Sequence, residues 1–423
     1  MSAARGTAVR LLAALVVAAA GVGGCAEPGS RRQRQPADAL PGSVTSRPVD
    51  GTYPAGLPDD PDYFPVGVWL PTVVDPDQVA LDRSLGLNLY VGLAHEDAAD
   101  LDAVEAGGMH LLVQVDEWEG DPRADHPAVD GWLVDDEADL TYGPGWDPWS
   151  GTPGWNTCVP VQDEGGQCGY TVMQQLAGRV PEGALRYANY GVGLLRFETD
   201  AEAAVFVNQG FQDVVSADDY GFTRPDAGPA DRTGASYGRT VARLRDLDGL
   251  DGWRQPVWAV VETGHPFTEA SAPTITAPQV RSAVWHSLIA GARGIVYFDH
   301  SFGGSCPTSS ALRERCDPDL APTVRALDAQ IAELAPVLNA PFADGYVTAD
   351  GPVAVTAKQG PDGGWYVLAA ADAAEVDGAE VTFRVAAGST VEVVGEGRDL
   401  AVRDGRFVDT FADGDAVHVY RVT

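Results

Sequence analysis

The feature of this sequence that most constrains its fold is a regular alternation of short apolar runs with helix-like stretches after about residue 60. Strands that alternate with helices favour βα units and a parallel sheet. Eight such units over roughly 240 residues match the size and rhythm of a (β/α)8 barrel. We therefore predict an α/β fold with a TIM barrel over residues 59–337. Its predicted strands span residues 64–70, 87–93, 109–115, 129–134, 185–190, 213–217, 256–261 and 294–298.

The pattern changes after about Leu338. Helical periodicity stops there, and short apolar runs separated by Gly and Asp turns take over. Runs of this kind with no helix between them favour a small antiparallel β-sandwich, which we predict over residues 338–423. Its predicted strands span residues 345–348, 353–358, 365–370, 379–385, 390–393, 405–409 and 416–422.

The N-terminal segment has the pattern of an export signal rather than of a folded element. Arg5 and Arg10 precede an apolar stretch over residues 11–24, which is too short to span a bilayer comfortably. The small residues directly before Cys25 resemble the lipobox of bacterial lipoproteins. This resemblance implies that residues 1–24 are a signal peptide that is removed, and that Cys25 carries a lipid. The alternative is a plain secretory signal that happens to contain a cysteine.

A polar segment follows this cysteine. Residues 25–58 are rich in Arg, Pro, Ser, Gly and Asp, and such a composition buries too little apolar surface to fold. We predict that it is a flexible tether between the lipid and the folded part. The lipobox resemblance further implies that the protein is extracytoplasmic and is anchored to the cell membrane.

Four cysteines remain, and they form two pairs with equal spacing. Cys158 and Cys168 are ten positions apart, as are Cys306 and Cys316. Four cysteines allow three connectivities, of which the two local bridges are the simplest. An oxidising compartment favours disulfides over metal ligation. We therefore predict the disulfides Cys158–Cys168 and Cys306–Cys316.

The charge of the chain narrows the choice of partners. The formal net charge is −33, and Lys358 is the only lysine. Such a field repels nucleic acid and anionic lipid head groups, whereas neutral or cationic substrates remain compatible with it. The sequence has no Gly-rich phosphate loop and no metal-ligand spacing, so we predict no cofactor, no metal and no nucleic-acid partner.

Acidic, amide and aromatic residues follow the predicted barrel strands, where TIM barrels carry their functional groups. Carboxylates can bind sugar hydroxyls and aromatic rings can stack on sugar faces, so this rim predicts a carbohydrate site. The tryptophans suit the core equally well, and the acids suit loop caps. The candidates for substrate binding are Trp69, Trp118, Asp136, Asn189, Asp218, Tyr220, His265, Tyr297 and His300, and the candidates for catalysis are Glu137 and Glu262.

The order of these acids resembles the clan A glycoside hydrolases, which carry one glutamate after strand four and another after strand seven. Glu137 ends the run GWLVDDE, and Glu262 lies in VWAVVETG. The later runs GARGIVYF and AVHVY also look like the eighth strand and the β-domain of such enzymes. The resemblance implies a retaining mechanism in which Glu137 is the acid/base and Glu262 the nucleophile, with their carboxyl groups about 5 Å apart. It also suggests that Tyr220 orients Glu262.

One departure from this clan leaves a second function open. The clan usually has Asn before the acid/base, but this chain has Asp136. The extra carboxylate could change the pKa of its neighbour or have another role. The alternatives to a glycoside hydrolase are a carbohydrate-binding lipoprotein on a degenerate barrel, and a surface structural protein that makes contacts through its β-domain.

Overall fold

The computed structural model of the protein describes a barrel followed by antiparallel sheets. It describes residues 44–49, 51, 53, 56–93, 98–145, 159–161, 165–250, 254–374 and 376–423. The predicted signal peptide 1–24 and Cys25 lie outside these residues. In the part of the chain that is described, no helix is both long and apolar enough to cross a membrane.

Eight parallel strands form the barrel, as the sequence predicts. Each strand pairs with its neighbours in sequence order, and the eighth pairs with the first. The ring closes through a parallel bridge between Val215 and Val257, where the Trp258 N–H donates to the Val215 carbonyl at 2.9 Å. The strands are β1 Val66–Trp69, β2 Leu89–Leu93, β3 His110–Gln114, β4 Val129–Asp136, β5 Leu185–Tyr190, β6 Val214–Ala217, β7 Ala259–Glu262 and β8 Ile295–Phe298.

Helices cover the outside of the strand ring. The second helix begins at Leu101, because Asp100 caps its N-terminus and residues 98–99 pair with Val73–Val74. The helices are α1 Pro76–Leu85, α2 Leu101–Ala106, α3 Val115–Trp118, α4 Gly169–Ala177, α5 Asp200–Asn208, α6 Gly234–Asp248, α7 Ala277–Ala290 and α8 Leu320–Leu338. Shorter turns of helix span Pro122–Asp125, Ala138–Thr141, Gly193–Phe197 and Ala311–Glu314.

A β-bulge near the end of β4 decides which acid faces the barrel axis. Leu133 pairs with Tyr187 inside the barrel, but two positions later on β5 Asn189 pairs with Asp136. The extra residue in β4 shifts the alternation of its side chains. Asp136 therefore takes the inward position beside Asn189 that strict alternation would have given to Asp135.

The segment before β1 is folded, and this shortens the predicted tether. Thr45–Arg47 forms a strand that pairs with Phe342–Asp344. Tyr53 is buried at the N-terminal ends of the barrel strands, where its hydroxyl donates to the Arg293 carbonyl at 2.9 Å and accepts from the Trp258 indole at 3.1 Å. Leu57 packs into the same interior cluster. The tether predicted to reach residue 58 was therefore too long at this end, because a few apolar residues in a polar segment suffice to dock it.

The C-terminal strands form two antiparallel sheets with a separate apolar core between them. The strands are β9 Phe342–Asp344, β10 Val347–Asp350, β11 Val353–Gln359, β12 Trp365–Ala371, β13 Ala379–Val385, β14 Thr390–Val393, β15 Arg398–Ala401, β16 Arg406–Phe411 and β17 Val417–Val422. Strands β10, β13 and β16 form the smaller sheet, and the others form the larger one together with Thr45–Arg47. This confirms the predicted β-sandwich, although β9 and β15 were not predicted.

Buried polar contacts join the sandwich to the barrel helices. The ammonium of Lys358 is buried and donates to the carbonyls of Leu338 and Ala340 at 2.6 and 2.9 Å, at the end of α8. His286 on α7 donates through Nε2 to the Ala371 carbonyl at 2.8 Å, and burial lowers its pKa. The one lysine of the chain therefore caps a helix rather than facing solvent.

One of the two predicted disulfides is confirmed. Cys306 and Cys316 are bonded, with their Cα atoms 5.7 Å apart, in the loop between β8 and α8. The bond lies in a βα loop at the C-terminal end of the barrel, as predicted. Cys158 lies outside the described residues, so the bridge to Cys168 stays a prediction.

Candidate active site

Strained backbone marks the C-terminal rim of the barrel. Five non-glycine residues of the described chain have a positive φ, and three of them directly follow or closely follow barrel strands: Leu70 (φ 43°), Glu137 (φ 56°) and Tyr220 (φ 41°). A non-glycine residue in this region costs free energy and persists only where the surrounding structure enforces it. The ends of β1, β4 and β6 are therefore held in specific conformations.

A hydrogen-bonded network connects two acids across the mouth of the barrel, the opening at the C-terminal ends of its strands. The Asn189 amide on β5 donates to Asp136 at 2.9 Å and to Asp218 at 3.4 Å. The Ser216 hydroxyl donates to the side-chain oxygen Oδ1 of Asn189 at 2.5 Å, and the Tyr187 hydroxyl lies 2.6 Å from the Ser216 hydroxyl. This chain fixes the amide so that its NH2 group points at both carboxyls. The structure thus brings together three of the predicted residues, from β4, β5 and just beyond β6.

Glu137 lies beside this network, and its carboxyl group makes no hydrogen bond to any residue that the structure describes. Its backbone N–H donates to the Asn189 carbonyl at 2.9 Å, which fixes the turn at the end of β4. A Cβ on Gly191 would lie 2.7 Å from Glu137 Oε1, so the side chain fits only because this position is glycine. Burial and the negative charges of Asp218, Asp136 and Asp139 together raise the pKa of Glu137 well above its usual range. This environment favours the protonated form of the Glu137 carboxyl.

The two acids of the network also have raised pKa values. Asp136 is open to solvent on one side, but protein surrounds its carboxyl on the others. This burial, together with the charges of Asp135 and Asp139, raises its pKa to about 7, against a hydrogen bond from Asn189 that lowers it. Burial and the charge of Asp136 raise the pKa of Asp218 to about 7, against a hydrogen bond from Tyr220 that lowers it. Like charges so close together cannot all ionise easily. At neutral pH the acids of the mouth therefore carry fewer negative charges than there are carboxyl groups.

Asp139 supports the cluster and was not among the predicted residues. It is buried and accepts hydrogen bonds from the Gly191 N–H at 3.0 Å and from the Leu194 N–H at 2.6 Å. These bonds tie the segment after β4 to the segment after β5. Asp139 lies at the start of a polar insertion, where the sequence gives no signal that distinguishes it from a solvated acid.

Glu262 at the end of β7 is in a different environment. It is 0% exposed, and the Tyr237 hydroxyl lies 2.7 and 2.6 Å from its two oxygens. The Thr223 hydroxyl donates to the same carboxyl at 2.9 Å. Burial raises its pKa, and these hydrogen bonds oppose the shift. The tyrosine that holds Glu262 is therefore Tyr237 on α6, whereas Tyr220, which we expected in this role, binds Asp218.

Aromatic rings form a continuous wall from the end of β6 to the loop after β8. The Tyr220 ring lies 5.1 Å from Phe298, which lies 5.2 Å from His300. The imidazole of His300 stacks at 5.9 Å on Phe302, whose side chain is 43% exposed. We call these four residues the aromatic wall. Its exposed end offers a flat apolar surface beside the acids.

The two predicted histidines are buried at this rim. His300 donates from Nε2 to the Leu70 carbonyl at 3.2 Å, and burial lowers its pKa. His265 lies with Nδ1 3.0 Å from the Thr274 hydroxyl, and its Nε2 is buried without a hydrogen-bond partner in the described chain. Both histidines therefore hold loops together, and His300 also belongs to the aromatic wall.

Three other predicted binding residues are core residues, which corrects the prediction. Trp118 and Tyr297 are fully buried between strands and helices, where Trp118 donates to the Leu93 carbonyl at 2.9 Å and Tyr297 to Asp328 at 2.7 Å. Trp69 packs inside the barrel, with its ring 6.3 Å from that of Tyr187. Their position at strand ends predicted the rim, but large rings also fill the barrel layers.

One group of possible metal ligands occurs among the described residues, away from this network. It consists of Asp102, Glu105 and His126 at the surface. The Nδ1 atom of His126 accepts from the Ala128 N–H at 3.1 Å, so a neutral ring donates from Nε2 to Asp102. Both nitrogens are thus engaged within the protein.

The fold is similar to solved structures of glycoside hydrolases. A family 39 glycoside hydrolase from the gut symbiont Bacteroides cellulosilyticus WH2 matches with a TM-score of 0.50 and 15% identity, over 86% of this chain and 82% of that chain. A family 5 glycoside hydrolase from Bacteroides vulgatus ATCC 8482 matches with a TM-score of 0.50 and 13% identity, over 85% of this chain and 89% of that chain. No protein-family model and no curated protein matches the sequence. At such identities the likeness establishes the fold.

Proposed function

We propose that this protein is a glycoside hydrolase that binds its substrate at the carboxylate-rich mouth of the barrel and uses Glu137 as the proton donor. Cleavage of a glycosidic bond needs an acid that is protonated at the working pH and free to give its proton to the leaving oxygen. Hydrolysis then needs the same group to act as a base toward water.

The single observation that carries this proposal is the state of the Glu137 carboxyl. It has no hydrogen-bond partner in the described chain, and burial with three acidic neighbours raises its pKa. Asp139, a buried acid two positions further on, is held by two backbone donors, whereas the Glu137 side chain is only half-buried and stays reachable from solvent. Glu137 also occupies a strained backbone position, which is typical of functional sites.

The surroundings of Glu137 favour a carbohydrate over other substrates. The acids and the Asn189 amide offer hydrogen-bonding groups for hydroxyls, and the exposed end of the aromatic wall at Phe302 offers a face for a sugar ring. The net charge of −33 favours neutral or cationic sugars over anionic ones. The two structural neighbours named as glycoside hydrolases agree with this choice of substrate class.

The finer mechanism predicted from the sequence is retention of configuration, with Glu262 as the nucleophile. In this structure the Glu262 carboxyl is covered by Tyr237 and Thr223. A role as nucleophile requires that one of its oxygens leaves these partners and turns toward the substrate. The role of Glu262 as nucleophile therefore stays a prediction, and it has weaker support than the role of Glu137 as proton donor.

The proposed location is the outer side of the cell membrane, with the lipid on Cys25. The short apolar signal and the small residues before the cysteine support this location. Replacement of Cys25 by Ala should release the protein from membranes or leave it unprocessed, as seen by fractionation and by mass spectrometry of the N-terminus. Normal cleavage with unchanged membrane retention would contradict the lipid anchor.

The activity is tested with the variant Glu137→Gln on a panel of aryl glycosides and polysaccharides. We expect wild-type hydrolysis, and a loss of about 10²–10⁴-fold in kcat for substrates with poor leaving groups. Substrates with activated leaving groups need little protonation, so their loss should be smaller. Glu333→Gln, an exposed glutamate on α8, is the matched control and should behave as wild type.

Binding of sugars without any hydrolysis by the wild type would support the carbohydrate-binding alternative instead. The sealed carboxyl of Glu262 is the observation that favours this second function. Isothermal titration with the same sugars distinguishes the two. An unchanged Glu137→Gln variant in a hydrolytic protein would show that another acid donates the proton.

A further inference from the structure

Two carboxyl groups compete for the role of partner to Glu137. A nucleophile needs at least one oxygen that can touch the reacting carbon, so its lone pairs must face the substrate. Glu262 is 0% exposed, and both of its oxygens lie within 2.7 Å of the Tyr237 hydroxyl. The other candidate, Asp218, is 8% exposed and lies on the same side of the mouth as Glu137.

The strand order places Asp218 two strands away from Glu137. Only β5 separates the strands that carry them, and this corresponds to about 10 Å between the backbones of β4 and β6. Carboxyl groups carried on strands at this spacing are within reach of the separation of about 5 Å that retaining glycosidases use. Among the charges around Glu137, that of Asp218 has the largest effect. Asp218 is therefore the nearest acid in electrostatic terms.

Two hydrogen-bond donors beside Asp218 oppose the burial and the Asp136 charge that raise its pKa to about 7. The Asn189 amide donates to it at 3.4 Å, and the Tyr220 hydroxyl donates a second hydrogen bond. Both donors favour the anion and fix its direction. The Asn189 amide also reaches Asp136 at 2.9 Å, so the oxygens of the two aspartates cannot be further apart than the sum of these two distances. The anion is thus held in place from both sides.

We propose that Asp218, rather than Glu262, is the nucleophile of the hydrolysis, with Glu137 as its acid/base and with Asn189 and Tyr220 as positioning residues. This proposal rests on the proposed function. It makes Glu262 a structural acid that links β7 to Tyr237 on α6 and to Thr223.

The reaction has two balanced steps. First, an Asp218 oxygen forms a bond to the anomeric carbon, the bond from that carbon to the leaving oxygen breaks, and Glu137 gives its proton to that oxygen. Second, the Glu137 carboxylate takes a proton from water, and the water oxygen bonds to the anomeric carbon as the ester to Asp218 breaks. Both carboxyl groups then return to their initial state, and the configuration at the carbon is retained.

The most direct test locates the covalent intermediate in the wild-type protein. A panel of 2,4-dinitrophenyl 2-deoxy-2-fluoroglycosides serves as the probe, because fluorine slows the second step and lets the ester accumulate. We expect one sugar per protein, and peptide mapping should place it on Asp218. Because the wild type is used, no substitution can disturb folding. A sugar on Glu262 would overturn the proposal while supporting the proposed function.

Kinetics of two variants give a second, independent readout. Asp218→Asn should lose about 10³-fold or more in kcat, and added azide should restore turnover by forming the glycosyl azide of inverted configuration. Glu262→Gln should lose less than about tenfold, with a lowered Tm. Asp328→Asn is the matched control, since Asp328 is also buried and bound by a tyrosine hydroxyl but lies on α8.

The outcomes distinguish a wrong assignment of the nucleophile from a wrong proposed function. An Asp218→Asn variant with kcat near that of the wild type, or an inverted product from the wild type by NMR, overturns the role of Asp218 alone. A wild type that neither hydrolyses any glycoside nor takes up the probe overturns the proposed function, and the role of Asp218 with it.

Discussion

The acids at the mouth between β4 and β6 contrast with the acid at the end of β7. Within the described part of the chain, the Glu137 carboxyl makes no hydrogen bond, and Asp136 and Asp218 share one amide donor, Asn189. Glu262 is sealed and is bound by two hydroxyl groups. Both regions lie at the C-terminal rim, and both follow apolar strands, so the local sequence does not distinguish them. The difference lies in the partners that the fold supplies.

The same contrast holds for other buried acids of the barrel. Asp82 is buried but is bound by the Arg313 guanidinium at 2.6 and 3.0 Å and by the Tyr90 hydroxyl at 2.7 Å. A paired buried acid of this kind stabilises the fold. In contrast, no arginine or lysine neutralises Glu137 among the described residues, and its pKa is raised rather than lowered. Asp82 thus differs from Glu137 in having a cationic partner that compensates its burial.

The largest effect expected in a positioning residue is that of Asn189→Ala. Loss of the amide removes the donor shared by Asp136 and Asp218, so both carboxyls are free to shift. We expect kcat to fall by about 10²-fold, since a misplacement of about 1 Å has effects of this size. Steady-state kinetics measure it. Asn208→Ala is the control, because Asn208 donates only to the Leu247 carbonyl outside the mouth.

The variant Asn189→Asp separates positioning from packing. It keeps the size of the side chain but replaces the donor by a third acid beside two others. Activity should then be as low as in Asn189→Ala, and Tm should fall further because like charges repel. Full activity in both variants would show that the bridge has no role, and the contrast with β7 would lose its main support.

The second prediction concerns the sealed side of the comparison. Tyr237→Phe removes the hydroxyl that lies next to both oxygens of Glu262 and leaves a buried carboxyl with Thr223. The free energy of unfolding should fall by about 2 kcal/mol, the cost of a buried polar group left without a partner. Denaturant unfolding measures it. Since Glu262 is structural in our proposal, kcat per folded molecule should change little, and a large loss of kcat without loss of stability would contradict this.

The fold was predictable because it depends on patterns of several residues. Every predicted barrel strand overlaps an observed one, and β5 has the predicted bounds, Leu185–Tyr190. Helix α1 has bounds set by local residues, because Asp75 caps its start and Gly86, with a φ of 101°, ends it. Apolar periodicity and caps are local signals, so the sequence shows them directly.

The site was less predictable because it depends on single contacts between distant residues. We expected Tyr220 to hold Glu262, but Tyr237, which lies 25 positions before Glu262 in the chain, holds that acid. The β4 bulge that turns Asp136 inward has no signature in the run VDGWLVDD. Trp118 and Tyr297 were placed at the rim, but Trp118 lies on α3, and alternation along β8 sends the Tyr297 ring to the helix side. Such outcomes depend on tertiary packing rather than on local pattern.

The third prediction uses an acid that is unpaired, like Glu137, but whose two carboxyl oxygens are both buried. Glu198 is buried before α5, and neither of its oxygens has a hydrogen-bond partner in the described chain. Burial and the charge of Asp139 raise its pKa from 4.5 to about 8. Because its folded-state pKa is raised, its contribution to stability is complete below about pH 4.5 and is lost as the pH rises through 8. The protein should therefore be less stable at pH 8 than at pH 5.

The variant Glu198→Gln tests this, because a neutral amide does not titrate. It should flatten the dependence of Tm on pH and stabilise the protein at pH 8 by about 2 kcal/mol relative to wild type. Glu333→Gln, an exposed glutamate, should leave the dependence unchanged. Activity should survive in Glu198→Gln, since an unpaired acid without access to the mouth has no substrate to act on. A loss of activity as large as that of Glu137→Gln would show that access does not separate the two acids.

The smallest expected effect belongs to the aromatic wall, which extends the mouth side of the comparison to substrate binding. Phe302 is exposed, and its ring packs on His300 at 5.9 Å and on Phe298 at 6.1 Å. Its replacement by Ala removes one stacking face of about 1 kcal/mol, so KM should rise about fivefold while kcat stays the same. Val408→Ala, an exposed apolar residue on β16, should change neither constant. A fall in kcat with unchanged KM would instead place the ring at the reacting sugar, so that the wall would act on the transition state rather than on binding alone.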